Sequence, residues 1–171
     1  MDFKDFTIDY ISKLHKTLQN LDLTQLEKFK NHLLSNKGRV YIIGNGGSSS
    51  TASHMANDLS IGLKRREKQS FDVVSLSDNA AISYAIANDI GFENVFYMQL
   101  KDILKPEDTI IAISCSGNSP NIIKAVTYAK QTKATVIGLS GFDGGKLYEL
   151  SDIKIHISPE KNEYGLVEDV H

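Results

Sequence analysis

Two short loops rich in glycine and serine carry the most chemistry in this chain: Gly44-Asn45-Gly46-Gly47-Ser48-Ser49-Ser50 and Ser114-Cys115-Ser116-Gly117-Asn118-Ser119. Each follows a short apolar run and opens a helical pattern. A strand that ends in small hydroxyl residues at a helix start offers backbone N–H groups, side-chain hydroxyls and a positive dipole end together, which suits an anion such as phosphate. In the second loop the hydroxyls of Ser114, Ser116 and Ser119 can converge on one oxyanion, with Ser119 as helix N-cap and Pro120 as first helical residue. Cys115 reads as a small space-filling residue whose N–H can face the ligand, since nothing in the sequence marks a base beside it. Just after the first loop, His54 and Asp58 stand four residues apart on one helical face, a spacing that suits a metal pair or an acid–base pair.

These groups need a framework that brings both loops together. Val40-Tyr41-Ile42-Ile43 and Thr109-Ile110-Ile111-Ala112-Ile113 are continuously apolar, as expected of strands buried on both faces. Strands are expected near 39–43, 71–76, 109–113, 134–139 and 152–157, with helices between them near 48–62, 78–88, 92–103 and 120–131. This alternation predicts an α/β fold, a three-layer sandwich around a doubly wound, five-stranded parallel sheet. Ligands in such folds bind beyond the carboxyl ends of the strands, where both loops fall. Ahead of the sheet, two helices are expected over 2–20 and 23–36. Phe3, Phe6, Tyr10, Ile11, Leu14 and Leu18 form one stripe on the first, and Leu26, Phe29, Leu33 and Leu34 face inward from the second.

The chain reads as a single domain over 1–171: an N-terminal helical hairpin over 1–37, a sheet core over 38–158 and the start of a C-terminal helix over 163–171. The formal charge of −2 gives no general attraction to nucleic acid or to an acidic membrane, and Lys64-Arg65-Arg66 reads as a solvated helix end. The single cysteine allows no internal disulfide, and no apolar run approaches the roughly 18 residues that cross a bilayer. A cytoplasmic protein is expected. The first loop has neither the Lys-Ser/Thr pair of a P-loop nor the G-x-G-x-x-G spacing of dinucleotide folds, so no nucleotide cofactor is expected. The apolar stripe on the helix hairpin predicts a homodimer or homotetramer.

At this point a resemblance becomes specific. Gly44-Asn45-Gly46-Gly47-Ser48, followed by Ala52-Ser53-His54-Met55-Ala56-Asn57-Asp58-Leu59, resembles the first signature of the sugar isomerase (SIS) family, in its phosphoheptose isomerase branch. Ile113-Ser114-Cys115-Ser116-Gly117-Asn118-Ser119 resembles the second, with Cys115 where threonine is usual. Ala87-Asn88-Asp89-Ile90-Gly91-Phe92 and Leu139-Ser140-Gly141-Phe142-Asp143-Gly144-Gly145 also fit. The resemblance implies the flavodoxin-like SIS fold and an enzyme that interconverts sedoheptulose 7-phosphate and a heptose 7-phosphate for surface polysaccharide. By that resemblance Ser114, Ser116 and Ser119 hold the phosphate, and Asn45, Gly46, Gly47, Ser48, Asn88 and Asp89 line the sugar.

Aldose–ketose isomerisation moves one proton between adjacent carbons and another between their oxygens, so it needs a base and an acid near the carbonyl. In the resembling enzymes the first helix carries a histidine and, four residues later, a glutamate, which bind zinc in zinc-containing members. Here Asp58 takes the glutamate's place with a side chain shorter by about 1.5 Å. Tyr164-Gly165-Leu166-Val167-Glu168-Asp169-Val170-His171 resembles the start of the C-terminal helix, with Glu168 where the family commonly has a glutamine that touches substrate and metal. The resemblance thus implies Asp58, Glu168 and Asp169 as catalytic candidates, and His54, Asp58 and Glu168 as candidate ligands of Zn²⁺. The family's catalytic histidine would fall about two turns beyond Glu168, so a longer native chain is expected; in a naturally short chain His171 or Asp169 would have to substitute. The alternative reading is a non-catalytic SIS module that binds a phosphosugar or a protein partner; ammonia-dependent amino-sugar phosphate chemistry would need a glutaminase domain as well.

Overall fold

The apolar runs form the middle of a five-stranded parallel sheet. In the computed structural model, which describes residues 2–159 and 163–171, the strands are β1 (Val40–Gly44), β2 (Val73–Ser75), β3 (Thr109–Ser114), β4 (Thr135–Gly141) and β5 (Ile153–Ile157). They lie in the order β2-β1-β3-β4-β5. The register sets Ile42 beside Ile111, Ile111 beside Ile137 and Leu139 beside Ile155. Because strand side chains alternate between faces, each strand feeds two cores. Ile43, Ile110, Ala112 and Val136 pack on one face with Phe96, Leu100, Ile122 and Val126, while Ile42, Ile111, Ile113 and Ile137 pack on the other with Leu33, Ala52 and Ala56. Each fully buried isoleucine contributes about 1.5–3 kcal/mol, so the three central strands hold the frame on which the loops sit.

The helices run in chain order as α1 (Phe3–Gln19), α2 (Leu23–Ser35), α3 (Gly47–Asn57), a π turn (Asp58–Gly62) leading into the short α4 (Leu63–Arg65), α5 (Ala80–Ile90), α6 (Val95–Leu100), α7 (Pro120–Thr132), α8 (Gly145–Leu150) and α9 (Tyr164–Val170). The chain leaves β1 toward β2 on one side and returns to β3 on the other. The sheet therefore reverses direction of build between β1 and β3, and the loops after these two strands flank that crevice.

Several local expectations are corrected. The helix expected over 92–103 is a 3-10 turn, Phe92–Asn94, followed by α6, because Gly91 takes φ +98° and Asn94 spends its amide on the Ile90 carbonyl. The six-residue α8 was not anticipated; it follows Gly144 and Gly145, both at positive φ, which read as loop. Leu34 is exposed, not inward-facing, while Leu33 is buried. The stripe on α1 buries no residue: Phe3, Phe6, Ile11 and Leu18 are exposed, and Tyr10 and Leu14 are half-buried.

Candidate active site

The loop after β1 is shaped by Gly46, whose φ of +52° and ψ of −124° no side-chain-bearing residue adopts without strain. This turn starts α3 at Gly47 and aims its first N–H groups over the sheet edge. Asn45 is fixed from α7: its amide donates to Asn121 Oδ1 at 2.9 Å, and Asn121 Nδ2 donates back to Asn45 Oδ1 at 2.8 Å. Asn121 is fully buried and its Oδ1 also accepts from the Ile122 amide. A reciprocal amide pair thus ties the two loops to each other.

The second loop is held by its neighbour, 141–147. The Gly141 amide donates to the Cys115 carbonyl and the Leu147 amide to the Gly117 carbonyl, both at 2.9 Å. Gly117 sits at φ +63°, and a Cβ there would lie 1.9 Å from the Gly144 carbonyl oxygen, so only glycine fits. Ser119 does occupy the N-cap position of α7, with Pro120 first in the helix, but its side chain makes no capping bond. Its hydroxyl instead lies 3.4 Å from that of Ser114. The expectation of a side-chain cap is corrected. A hydroxyl pair and a helix start face the same space without saturating each other, which leaves capacity for an anion.

That space is a cavity of about 150 Å³, lined by Asn45, Ser48, Ile113, Ser114, Cys115, Ser116, Ser119, Tyr164 and Glu168. Seven of these were singled out from the sequence; Ile113 and Tyr164 were not. Tyr164 enters because it packs edge-on against Phe142, ring centroids 4.8 Å apart, a tertiary contact with no local sequence signal. Asn121 was also missed, although a polar residue at the second position of an otherwise inward-facing helix start was its trace. Glu168 reaches over from α9 to the start of α3, its Oε1 2.8 Å from where a Cβ of Gly47 would stand. Burial pushes the Cys115 thiol above its ordinary pKa, and the Glu168 carboxylate adds to the shift. Cys115 is thus a neutral thiol, as its space-filling reading expects.

Other candidates lie elsewhere. His54 Nε2 and Asp58 Oδ2 are 3.3 Å apart, so the i,i+4 pair does form, but the side chains are 77% and 57% exposed and neither lines the cavity. His54 lies seven residue steps along the helix from Gly47, about 10 Å along the axis. His54, Asp58 and Glu168 therefore do not gather in one protomer, and among the described residues no three His, Cys, Asp or Glu side chains are placed to share a metal. The described residues of one protomer thus do not fit a zinc ion. Asp169 turns away from the cavity and accepts a hydrogen bond from the Tyr10 hydroxyl. Asn88 and Asp89, at the end of α5, are exposed and bond to each other at 2.9 Å. A larger cavity of about 450 Å³ lies between α1, α2 and β5. It contains none of the loop residues, so size alone does not mark the site.

A doubly wound sheet with two serine-bearing loops at its switch point and a carboxylate between them has the form of an α/β ligand site. The SIS domain family matches residues 2–141. A phosphoheptose isomerase of Helicobacter pylori (strain P12) is 40% identical over 146 residues, covering 83% of this chain and 74% of that one. Among solved structures, phosphoheptose isomerases of Francisella tularensis and Neisseria gonorrhoeae superpose with TM-scores of 0.84 and 0.81 at 28% identity, covering 99% and 97% of this chain and 92% and 89% of theirs. The chain belongs to the SIS domain family. Within it, the chain falls in the phosphoheptose isomerase branch.

Proposed function

We propose that this chain is an aldose–ketose isomerase acting on sedoheptulose 7-phosphate, with Ser114, Ser116 and Ser119 receiving the phosphate and Glu168 facing the carbons that exchange a proton. The observation that carries this reading is the single cavity shared by the three serines and one carboxylate. Hydroxyls, the N-terminal ends of α3 and α7, and the polar Asn45 favour a dianion at one side. Glu168 then stands as the base that takes the proton from C1 of the ketose. As that C–H bond breaks, the carbonyl oxygen at C2 gains a proton; reprotonation at C2 and loss of the O1 proton give the aldose. A sugar phosphate supplied for surface polysaccharide fits this chemistry.

The cavity is smaller than the roughly 300–1,000 Å³ usual for a small-molecule site, and the described residues lining it include no cation. These features, with the uncovered apolar stripe on α1 and the outward-facing His54–Asp58 pair, support a homo-oligomer in which a second copy closes the sugar end and brings that pair to it. No described helix is long and apolar enough to cross a membrane, which is compatible with a cytoplasmic enzyme. The test is turnover of sedoheptulose 7-phosphate by the full chain, followed by NMR of the sugar. Formation of the aldose supports the assignment. Tight phosphosugar binding without turnover would instead identify a binding module.

A further inference from the structure

Glu168 sits on α9, whose place on the fold is set by tertiary contacts. On its inner side these are apolar: Leu166 and Val167 are buried, and Val167 fills the space left by the missing side chain of Gly141. Besides these and the edge-on packing of Tyr164 on Phe142, polar contacts reach α9 from α1. The Tyr10 hydroxyl donates to the Asp169 carboxylate, next in sequence to Glu168. The same hydroxyl lies 3.6 Å from where a Cβ of Gly165 would stand. One turn further along α1, Lys13 Nζ lies 3.5 Å from Glu163 Oε1, at the N-cap of α9.

Apolar burial fixes the depth of a helix better than its rotation, because the contacts are non-directional. A hydrogen bond from a tyrosine held in a helix is directional. We propose that Tyr10 is a positioning residue for the isomerisation: by fixing Asp169 it sets the rotation of α9, and through it the place of the Glu168 carboxylate at the start of α3. This rests on the reading of Glu168 as the base. It assigns α1 a task beyond its apolar stripe. Phe6 stacks beside Tyr10 at 6.3 Å between ring centroids, steadying the ring. The Asp169 carboxylate raises the Tyr10 pKa, which keeps the hydroxyl protonated and donating across the working pH range.

The test compares Tyr10→Phe with the parent enzyme, alone and in a Glu168→Gln background. Tyr10→Phe removes one exposed hydroxyl and keeps the ring, so the fold and subunit number, checked by melting and light scattering, stay as they are. The expected result is a fall in kcat of about 5- to 30-fold with KM within about twofold, because misplacing a reacting group costs rate more than binding. In Glu168→Gln the same change should alter kcat less than about twofold, since both lesions act on one group. Asp169→Ala should match Tyr10→Phe, and the double variant should be no worse. Independently of turnover, hydrogen exchange at the Val167 and His171 amides, which close α9 through Glu163 and Val167 carbonyls, should quicken at least tenfold in Tyr10→Phe. Unchanged kcat and unchanged exchange would overturn the proposal. Full additivity with Glu168→Gln would overturn it too, as would abolition of turnover by Asp169→Ala, which would make Asp169 itself catalytic. If the parent enzyme leaves sedoheptulose 7-phosphate untouched, the assigned function fails, and the exchange measurement still decides whether Tyr10 holds α9.

Discussion

The Glu168 carboxylate rests against Gly47: Oε1 comes within 2.8 Å, and Oε2 within 3.3 Å, of the point a Cβ at position 47 would occupy. A negative group at the first turn of α3 is favoured by the helix dipole, and only a glycine lets it come so near. The contact joins the two halves of the site, the loop after β1 and the helix at the far end of the sequence.

Gly47→Ala therefore separates function from stability. Position 47 opens α3, where alanine is no worse a helix former than glycine, and the obstructing group is the end of a flexible side chain. Unfolding by urea should show a stability within about 1 kcal/mol of the parent. Turnover should fall at least tenfold, because the carboxylate must swing away. Parent-like turnover would mean that Glu168 works from another position.

Ser119→Ala probes the anion side. With no capping bond to lose, the variant should fold as the parent does. A hydrogen bond to a charged group is worth about 1.5–3 kcal/mol, so KM for the phosphosugar and the inhibition constant of inorganic phosphate should both rise roughly 10- to 100-fold. Equal inhibition of parent and variant by phosphate would remove Ser119 from the phosphate site.

Much of this site was legible in the residue order, for definable reasons. Glycine-serine loops after β-type apolar runs announce strand–helix turns locally, so Ser48, Ser114, Ser116 and Ser119 could be placed before any packing was known. The four-residue spacing of His54 and Asp58 also predicts their contact, since it is a property of the helix alone. Spacing does not say what a helix faces. The direction of that pair away from the cavity, and the exposure of the α1 stripe, depend on how helices dock on the sheet. The pairing of Asn45 with Asn121 spans 76 positions and leaves no mark in local periodicity.

That pairing carries the third expectation. Asn121→Ala strips both bonds from the half-buried Asn45 and the one accepted from Ile122, at a position that is itself fully buried. Stranded buried polar groups cost about 1–3 kcal/mol, so chemical denaturation should show a loss of about 2–4 kcal/mol. Substrate affinity should fall with it, because the first loop loses its anchor. A loss under about 0.5 kcal/mol would show that the pair is not structural.

The fourth concerns acid. Burial lowers the pKa of His171 from 6.5 to about 4; the Ser140 backbone opposes the shift and His156 adds to it. Neither ring nitrogen has a hydrogen-bond partner among the described residues. Between pH 6.5 and 4 the unfolded chain binds a proton at this residue that the folded chain resists, so stability falls as pH drops through that window. At 1.36 kcal/mol per unit, the loss amounts to about 3 kcal/mol at most. His156 and His32, also lowered chiefly by burial, act in the same direction. Melting temperature followed from pH 7 to pH 4 should decline, and His171→Phe should flatten part of that decline. An unaltered pH profile in His171→Phe would place the acid sensitivity in other groups.

The central claim is that the serine-lined cavity binds phosphate so that a carboxylate can move a proton between C1 and C2 of a ketose. It is tested most directly by NMR of sedoheptulose 7-phosphate and of unphosphorylated sedoheptulose incubated with the enzyme in D₂O. The account predicts an aldose heptose 7-phosphate carrying solvent deuterium at C2, and no conversion of the unphosphorylated sugar on the same timescale. No aldose from the phosphorylated sugar, or equal conversion of both, would contradict it.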